Sequence, residues 1–459
     1  MGNGDISWSC VRCGRAFGAA RPDACVVCGT EAPSILGIPI LTFRPHVSID
    51  ALRTQLATVP DAAQPVNREA VKRVLDPALA QTEGLPRRPI GTSDFMATRM
   101  AGWEDRFTYL YIDWTDTEEF RADRAFVLDA VLRHCPDRSV AAVLGCGAGG
   151  LVASLATAFP ASLGLDVSLP HLLLADHLLR GGALSLQLPQ ARWRQVSMRG
   201  PTTPPRGAGF IVADAAALPF APGSISLVVT QYLLDIAGAP TFIAREINRV
   251  LSPGGVWLNL GLPFRRSSDP PDAGLLTCDD MPAFLDDLAF DALEIRRRRA
   301  MFHDLSALDE WLPASVHSTI FFAAKKRGDL APDPVARAFE GHAARRGTAI
   351  LDMIPRLIAG RRIHLLEGWS FGPGGAKPRV ELIAASGKSM SIPGPLGAFL
   401  RRLLSSIDGE RTAREVLAAV GSASDDALTE DDFVVLLRTL MLRGWLEIGQ
   451  TRPSAQRQP

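Results

Sequence analysis

Two pairs of cysteines, Cys10-x2-Cys13 and Cys25-x2-Cys28, stand eleven residues apart near the start of the chain. Each C-x-x-C presents two thiolates from one tight turn, and the glycine that follows each pair, Gly14 or Gly29, lets that turn close. Two such knuckles complete a tetrahedral ligand set, so Cys10, Cys13, Cys25 and Cys28 are expected to hold a structural Zn2+ in a zinc ribbon. Iron in a rubredoxin-like site uses the same ligands; zinc is chosen on prevalence alone. A ribbon of about 35 residues is too small to fold on an apolar core, so the metal would supply most of its folding energy.

A second stretch with chemical potential is VAAVLGCGAGGL, Val140 to Leu151. An apolar run meets a turn holding Gly145, Gly147, Gly149 and Gly150, and the helical pattern LVASLATAF follows at once. Glycines suit a backbone that turns tightly and lets a nucleotide-like ligand approach the free N–H groups opening a helix. Gly145, Gly147 and Gly150 also fit the G-x-G-x-x-G of dinucleotide enzymes, and a glycine-rich turn with no ligand stays open.

Downstream, ASLGLDVS reads as a strand ending at Asp166, beside Val167. An acid at that strand tip is placed to accept hydrogen bonds from two ribose hydroxyls. In GFIVADAAALPF the strand ends at Asp214, whose carboxylate, with the backbone N–H of Ala215, could read an adenine edge. SLVVT is apolar enough to be buried on both faces and leads to Gln231, Tyr232 and Asp235. Open parallel sheets bind ligands at the carboxyl ends of their strands, so these residues are expected to face the same crevice as Gly147.

The elements needed to position such residues are present. NREAVKRVLDPALAQ and the stretch with Phe126, Val127, Ala130, Val131 and His134 have helical spacing. Tyr109, Tyr111 and Trp114 are either pocket-lining or core. LPHLLLADHLLRGG and TFIAREINRVL read as helices, Pro253, Gly254 and Gly255 as a turn, and VWLNLG as a buried strand; residues 185–209 look irregular. Alternating strands and helices specify a doubly wound α/β fold with a Rossmann-like sheet. Beyond Lys326 come helical pieces, a Gly/Pro-rich break at GWSFGPGGAKPR, a hairpin (VELIAAS, KSMSIPG), a helix GPLGAFLRRLLSSI, the turn DGERT with Thr412 capping AREVLAAV, and DDFVVLLRTLMLRGWLEI.

Composition narrows the function classes. The 459 residues include 49 Lys plus Arg and 49 Asp plus Glu, so no global basic field recruits nucleic acid or a membrane surface. The run Arg296 to Arg299 reads as a solvated strand edge, and His303 and His317 as ordinary histidines. No apolar run reaches membrane-spanning length, no leader pattern opens the chain, and paired cysteines suit a reducing compartment; a cytoplasmic location is expected.

The glycine loop, Asp166, ADAAALPF and LSPGG together resemble class I S-adenosylmethionine-dependent methyltransferases, which implies S-adenosyl-L-methionine as cofactor at Gly145, Gly147, Gly149, Asp166, Val167, Asp214, Ala215 and Gln231. Most of that class carries an acid two positions before the first glycine; here Val143 stands there. The carnosine N-methyltransferase family also has an apolar residue at that position and is similar in YIDWTDTEEFRADR, GLDVSLPHLLLADHLL, TQYLLDIAGA and GGVWLNLGLP, from Tyr111 to about Asp304. In that family the acid matching Asp235 contacts the substrate imidazole, implying catalytic roles for Asp235 and Tyr232. The aromatic and histidine residues that follow the family's last strand are replaced by Leu262, Pro263, Phe264 and Arg265, which points to an imidazole or amine rather than carnosine itself. The C-terminal region resembles the winged-helix peptide-recognition protein of pyrroloquinoline quinone biosynthesis, implying a peptide partner.

The expected domains are a zinc ribbon (1–37), a helical connector (38–100), the methyltransferase domain (101–327), a helical linker (328–380) and the winged helix (381–450). N-methylation of a small-molecule or peptide substrate is the leading reading. RNA methylation guided by the ribbon, and a non-catalytic precursor-binding scaffold suggested by Val143 and by Ser226 in place of a common Asp, are its rivals.

Overall fold

The structure is a computed structural model. It describes all residues except 1–5, 19–20, 63–64, 86–102, 116–117, 189–193, 267–273, 303–314, 346–348, 359–363, 373–374, 384–388, 422–428, 443 and 450–459. His303 therefore lies outside the described residues. The chain divides into two compact units, one of residues 1–89, 98–264 and 275–331, the other of residues 90–97, 265–274 and 332–459.

The first unit begins with short strands β1 (Trp8–Ser9), β2 (Ala16–Gly18), β3 (Ser34–Ile35) and β4 (Ile38–Pro39), followed by helices α1 (Pro45–Ala62) and α2 (Pro65–Glu83). Helices α3 (Trp103–Trp114) and α4 (Glu118–His134) lead into the alternating region. That region runs β5 (Val140–Leu144), α5 (Gly150–Leu155), β6 (Ala161–Asp166), α6 (Leu169–Leu179), β7 (Ala183–Leu188), β8 (Arg194–Arg199), β9 (Ala208–Val212), β10 (Ile225–Gln231), α7 (Pro240–Val250) and β11 (Leu251–Gly261). Helix α8 (Met281–Asp286), β12 (Phe290–Phe302) and β13 (Ser315–Lys326) complete it.

The central sheet has the order β12-β13-β11-β10-β5-β6-β9. Strands β9, β6, β5, β10 and β11 run parallel, and β13 and β12 are antiparallel to their neighbours. The expected α/β sheet is present. All residues of β5 are buried, as an inner parallel strand covered by helices on both faces requires. From β5 the chain winds outward through β6 to β9, then returns to the other side of β5 as β10. The strand order thus reverses between β5 and β10, which opens a crevice at their carboxyl ends.

Two local expectations change. Residues 183–188 (β7) and 194–199 (β8) pair antiparallel where irregular chain was expected; the apolar positions Leu184, Leu186, Val196 and Met198 are buried on one face while the polar residues between them masked the alternation. Pro253, Gly254 and Gly255 do not end a helix–strand turn but lie within β11, where the register against β10 slips between Ile225 and Leu227; Gly254, at φ 76, takes up the bulge. The connector packs on the domain that follows it: Ile49, Leu52, Val71, Leu75 and Ala78 share one buried core with Leu172, Leu173 and Val143.

At the sheet edge, the arginine run is partly paired rather than solvated. Glu294 accepts from His134 Nε2 at 2.7 Å and from Arg133, and Arg296 pairs with it. Arg298 bonds Asp123 at 3.0 Å and stacks on Phe126, its guanidinium carbon 3.9 Å from the ring centre.

The second unit contains α9 (Pro334–Ala343), β14 (Ile354–Leu357), β15 (His364–Gly372), β16 (Gly375–Ile383), β17 (Ser389–Pro393), α10 (Gly394–Ser406), α11 (Ala413–Gly421), α12 (Glu430–Leu442) and β18 (Leu446–Gly449). Strands β15, β16 and β17 form one antiparallel sheet, so the Gly/Pro-rich stretch is a hairpin rather than a break. Strand β14 pairs with β18, which ties part of the expected linker to the end of the same unit. Thr412 and Glu415 form a reciprocal capping box at α11: Thr412 donates its N–H to Glu415 Oε2 at 2.7 Å, and Glu415 N–H donates back to Thr412 Oγ1 at 3.3 Å. Among the described residues no helix is long and apolar enough to cross a membrane.

Candidate active site

The glycine loop follows from its backbone angles. Gly145, Gly147 and Gly149 have φ of 62°, 55° and 83°, in the left-handed region that side chains disfavour. Their surroundings then divide them. A Cβ on Gly145 would lie 2.9 Å from Leu233, and one on Gly149 would fall inside the ring of Phe210, whereas one on Gly147 would meet open space. Gly149 is buried and Gly145 and Gly147 are partly exposed, so the first is a packing residue and the other two border the crevice.

Asp166 at the end of β6 reaches back to this loop. Its Oδ2 accepts the N–H of Gly147 at 3.4 Å and its Oδ1 accepts that of Ser168 at 2.9 Å. Asp166 and Val167 are both half-buried, and a carboxylate with four lone-pair directions retains capacity for hydroxyl donors. Asp214 is exposed; its Oδ1 accepts from Ala216 N–H at 2.9 Å, and its carbonyl accepts from Ala217 N–H, leaving Ala215 at the turn's tip.

At the end of β10, Gln231 is half-buried and Tyr232 has φ 49°, a costly backbone state for a bulky residue. The Tyr232 hydroxyl donates to Asp123 Oδ2 at 3.3 Å. Burial, then the Asp123 carboxylate, holds that phenol well above its usual range, so Tyr232 stays protonated and serves as a donor rather than a base. Asp235 lies at the end of β11, its Oδ1 3.5 Å from the place a Gly261 Cβ would take. Leu233, between the two, packs on Gly145 and thereby seats this turn on the glycine loop.

Sequence reasoning missed Asp113 as a site residue. Its Oδ2 accepts the N–H of Gly150 at 3.0 Å, while the neighbouring Trp114 donates its indole N–H to the Ala148 carbonyl at 2.8 Å. Helix α3 is therefore clamped to the loop. Asp113 and Asp166 both press on the Cys146 thiol and, after burial itself, keep it protonated. Two carboxylates beside one glycine loop repel a pyrophosphate and favour a cationic ligand. Ser226, by contrast, sits at the opposite end of β10, where its hydroxyl accepts from Val140 N–H at 2.9 Å and donates to Val140 O at 2.8 Å. It staples two strands and has no bearing on the crevice.

The sequence between Ala142 and Leu258 matches the family described as a methyltransferase domain. The chain carries an S-adenosylmethionine-dependent methyltransferase domain of class I. No curated protein sequence matches the chain. Similar solved structures include an S-adenosylmethionine-dependent methyltransferase from Methanosarcina mazei, 18% identical over 43% of this chain and 96% of its own, with a TM-score of 0.32. Another is the YcgJ protein of Bacillus subtilis, 13% identical over 45% of this chain and 99% of its own, with a TM-score of 0.33. The residues at this end of the sheet fit such a cofactor: open space at Gly147, an acid at the strand tip, and two carboxylates beside the loop.

The cysteine cluster is assembled as two like knuckles. Gly14 and Gly29, both at φ 70°, return their N–H groups to the carbonyls of Cys10 and Cys25 at 2.9 and 2.8 Å. The four sulfurs lie within 4.8 Å of one another, with Cys10–Cys28 and Cys13–Cys25 each at 3.6 Å. A tetrahedral site with metal–sulfur bonds of about 2.3 Å has edges of about 3.8 Å, so the cluster has the dimensions of a metal site. The module is sewn to the methyltransferase domain on both sides of the Asp214 turn. Leu41 N–H donates to Val212 O at 2.8 Å before it; Ser9 N–H donates to Pro219 O and Ala221 N–H to Ser7 O after it, at 2.9 and 2.8 Å.

Proposed function

We propose that the chain methylates a nitrogen of an imidazole or amine, within a small molecule or a peptide. The observation that supports this reading is the packing of Leu233 against Gly145, which seats the turn Gln231 to Asp235 on the glycine loop. The resemblance of YLLDIA to the imidazole-contacting segment of carnosine N-methyltransferases supports the nucleophile class.

The cofactor supplies an electrophilic methyl group on a sulfonium. Gly145 and Gly147 leave room for its amino-acid end, Asp166 accepts its ribose hydroxyls, and Asp214 with the Ala215 N–H borders its adenine; Val167 and Gln231 flank these positions. Methyl transfer needs a lone pair in line with the sulfur–methyl bond, so positioning and exclusion of water are the protein's main contribution. Asp235 holds one ring N–H of a neutral imidazole, which turns the other nitrogen toward the methyl. Tyr232, tied to Asp123, keeps the strand end that carries Asp235 in place.

Zinc at Cys10, Cys13, Cys25 and Cys28 completes the enzyme, and the cytoplasm is the compartment in which those thiols stay reduced. The second unit, whose three-stranded sheet β15-β16-β17 has two edges, recruits a peptide by strand addition.

The test is mass spectrometry of histidine-containing peptides, free imidazoles and simple amines after incubation of the full chain with S-adenosylmethionine. A single methyl gain on nitrogen, lost in Asp235→Asn, supports the reading; methylation of oxygen, carbon or RNA alone overturns it. Recruitment predicts a lower KM for an extended peptide than for its free imidazole, at similar kcat.

A further inference from the structure

Position 143, where most of the class carries an acid, is occupied by a valine whose side chain is buried in the sheet core. Nothing in β5 can place a carboxylate at the glycine loop. Yet one is there, carried by helix α3. Asp113 is half-buried, surrounded by protein on most sides and still reached by solvent. Its side chain meets the first amide of α5, and the backbone approach is close: a Cβ on Gly150 would lie 2.7 Å from the Asp113 carbonyl oxygen. Arg124 holds that carbonyl with a hydrogen bond of 2.6 Å, and Trp114 holds Ala148.

This placement has a cost. The carboxylate sits in the last turn of α3, where the helix dipole disfavours an anion, and burial penalises its charged form. The amides of Gly150 and Gly149 and the charge of Arg124 offset only part of that. A cation arriving in the open space beside Gly147 would offset more of it.

We propose that Asp113 is a cofactor-binding residue whose carboxylate, beside the glycine loop, holds the ammonium group at the amino-acid end of the cofactor. The inference rests on the cofactor class of the domain but not on the nature of the methyl acceptor. It assigns to helix α3 a part of the site, with selectivity for ligands that carry a positive amino-acid end.

The experiment compares two ligands by calorimetry on the full chain. S-adenosylhomocysteine carries the ammonium; 5′-methylthioadenosine shares the nucleoside and lacks the amino-acid end. Asp113→Asn keeps an oxygen to accept the Gly150 N–H and removes the charge. Affinity of the variant for S-adenosylhomocysteine is expected to fall about ten- to a hundredfold, the range of a lost hydrogen bond to a charged group, with 5′-methylthioadenosine unaffected. Equal weakening of both ligands, or no weakening of either, overturns the proposal, because Asp113 would then only brace the loop. Asp113→Glu, which restores the charge on a longer stem, is expected to recover part of the S-adenosylhomocysteine affinity. If the unaltered chain binds neither ligand, the cofactor class itself fails, a result separate from any effect of the variant.

Discussion

Phe210 occupies the space into which any side chain on Gly149 would grow. Glycine there lets the loop pack on β9. Gly149→Ala is therefore expected to cost about 2–4 kcal/mol of stability, combining overpacking with a left-handed backbone that alanine resists. Gly147→Ala meets open space and retains more stability, but fills room the cofactor needs. Denaturant unfolding and calorimetry on the two variants should show the two effects in opposite proportion.

Asp166 joins the tip of β6 to the loop at Gly147 and to Ser168. Replacing it by alanine removes the acceptor proposed for the ribose and is expected to weaken both S-adenosylhomocysteine and 5′-methylthioadenosine by about tenfold or more. The loss should be shared by the two ligands, unlike that of Asp113→Asn, since both carry the ribose.

Asp235→Asn should leave cofactor affinity near its original value while lowering kcat by about a hundredfold, the scale of a misplaced nucleophile. Single-turnover mass spectrometry, paired with calorimetry, separates the two. A parallel loss of cofactor binding would move Asp235 out of the acceptor site.

Acidification acts on Asp113 in two opposed ways. Burial raises its carboxyl from 3.8 to about 6. The folded protein thus binds this proton more tightly than the unfolded chain does, so the group's contribution to stability is fully present below 3.8 and is lost as pH rises through about 6. The cofactor-free protein should gain stability from this residue on acidification across that window. Affinity for S-adenosylhomocysteine should fall over the same range, as the carboxylate that holds the ammonium is neutralised. Both trends are expected to flatten in Asp113→Asn, measured by thermal melts and by calorimetry from pH about 3.5 to 8.

Zinc removal should reach the cofactor. With Ser9 and Ser7 of the cysteine module bonded to Pro219 and Ala221 just after the Asp214 turn, chelation or Cys25→Ser is expected to lower Tm and weaken S-adenosylhomocysteine binding together. Metal analysis of the purified chain should give one zinc for each molecule, and zinc addition after chelation should restore both properties.

The legible parts of the sequence were those written in local pattern. The strand–glycine–helix order, the acids at strand tips and the paired cysteines each declare themselves within a dozen residues, because backbone geometry demands those residue types at that spacing. Asp113 could not be read that way. It meets Gly150 only because α3 folds over the loop, and nothing near Asp113 in sequence records that contact. Ser226 misled for a related reason: its replacement of a common acid looked like damage, whereas its hydroxyl bonds both backbone groups of Val140. The β7–β8 hairpin was hidden because its flanks are rich in proline and its outward face in polar residues.

Ser9 and Phe220, joined by a side-chain hydrogen bond, are 211 residues apart in the chain. During synthesis the cysteine module emerges long before its seat. Until then it has little apolar surface of its own to fold on, so its integrity over that interval depends on capturing a metal early.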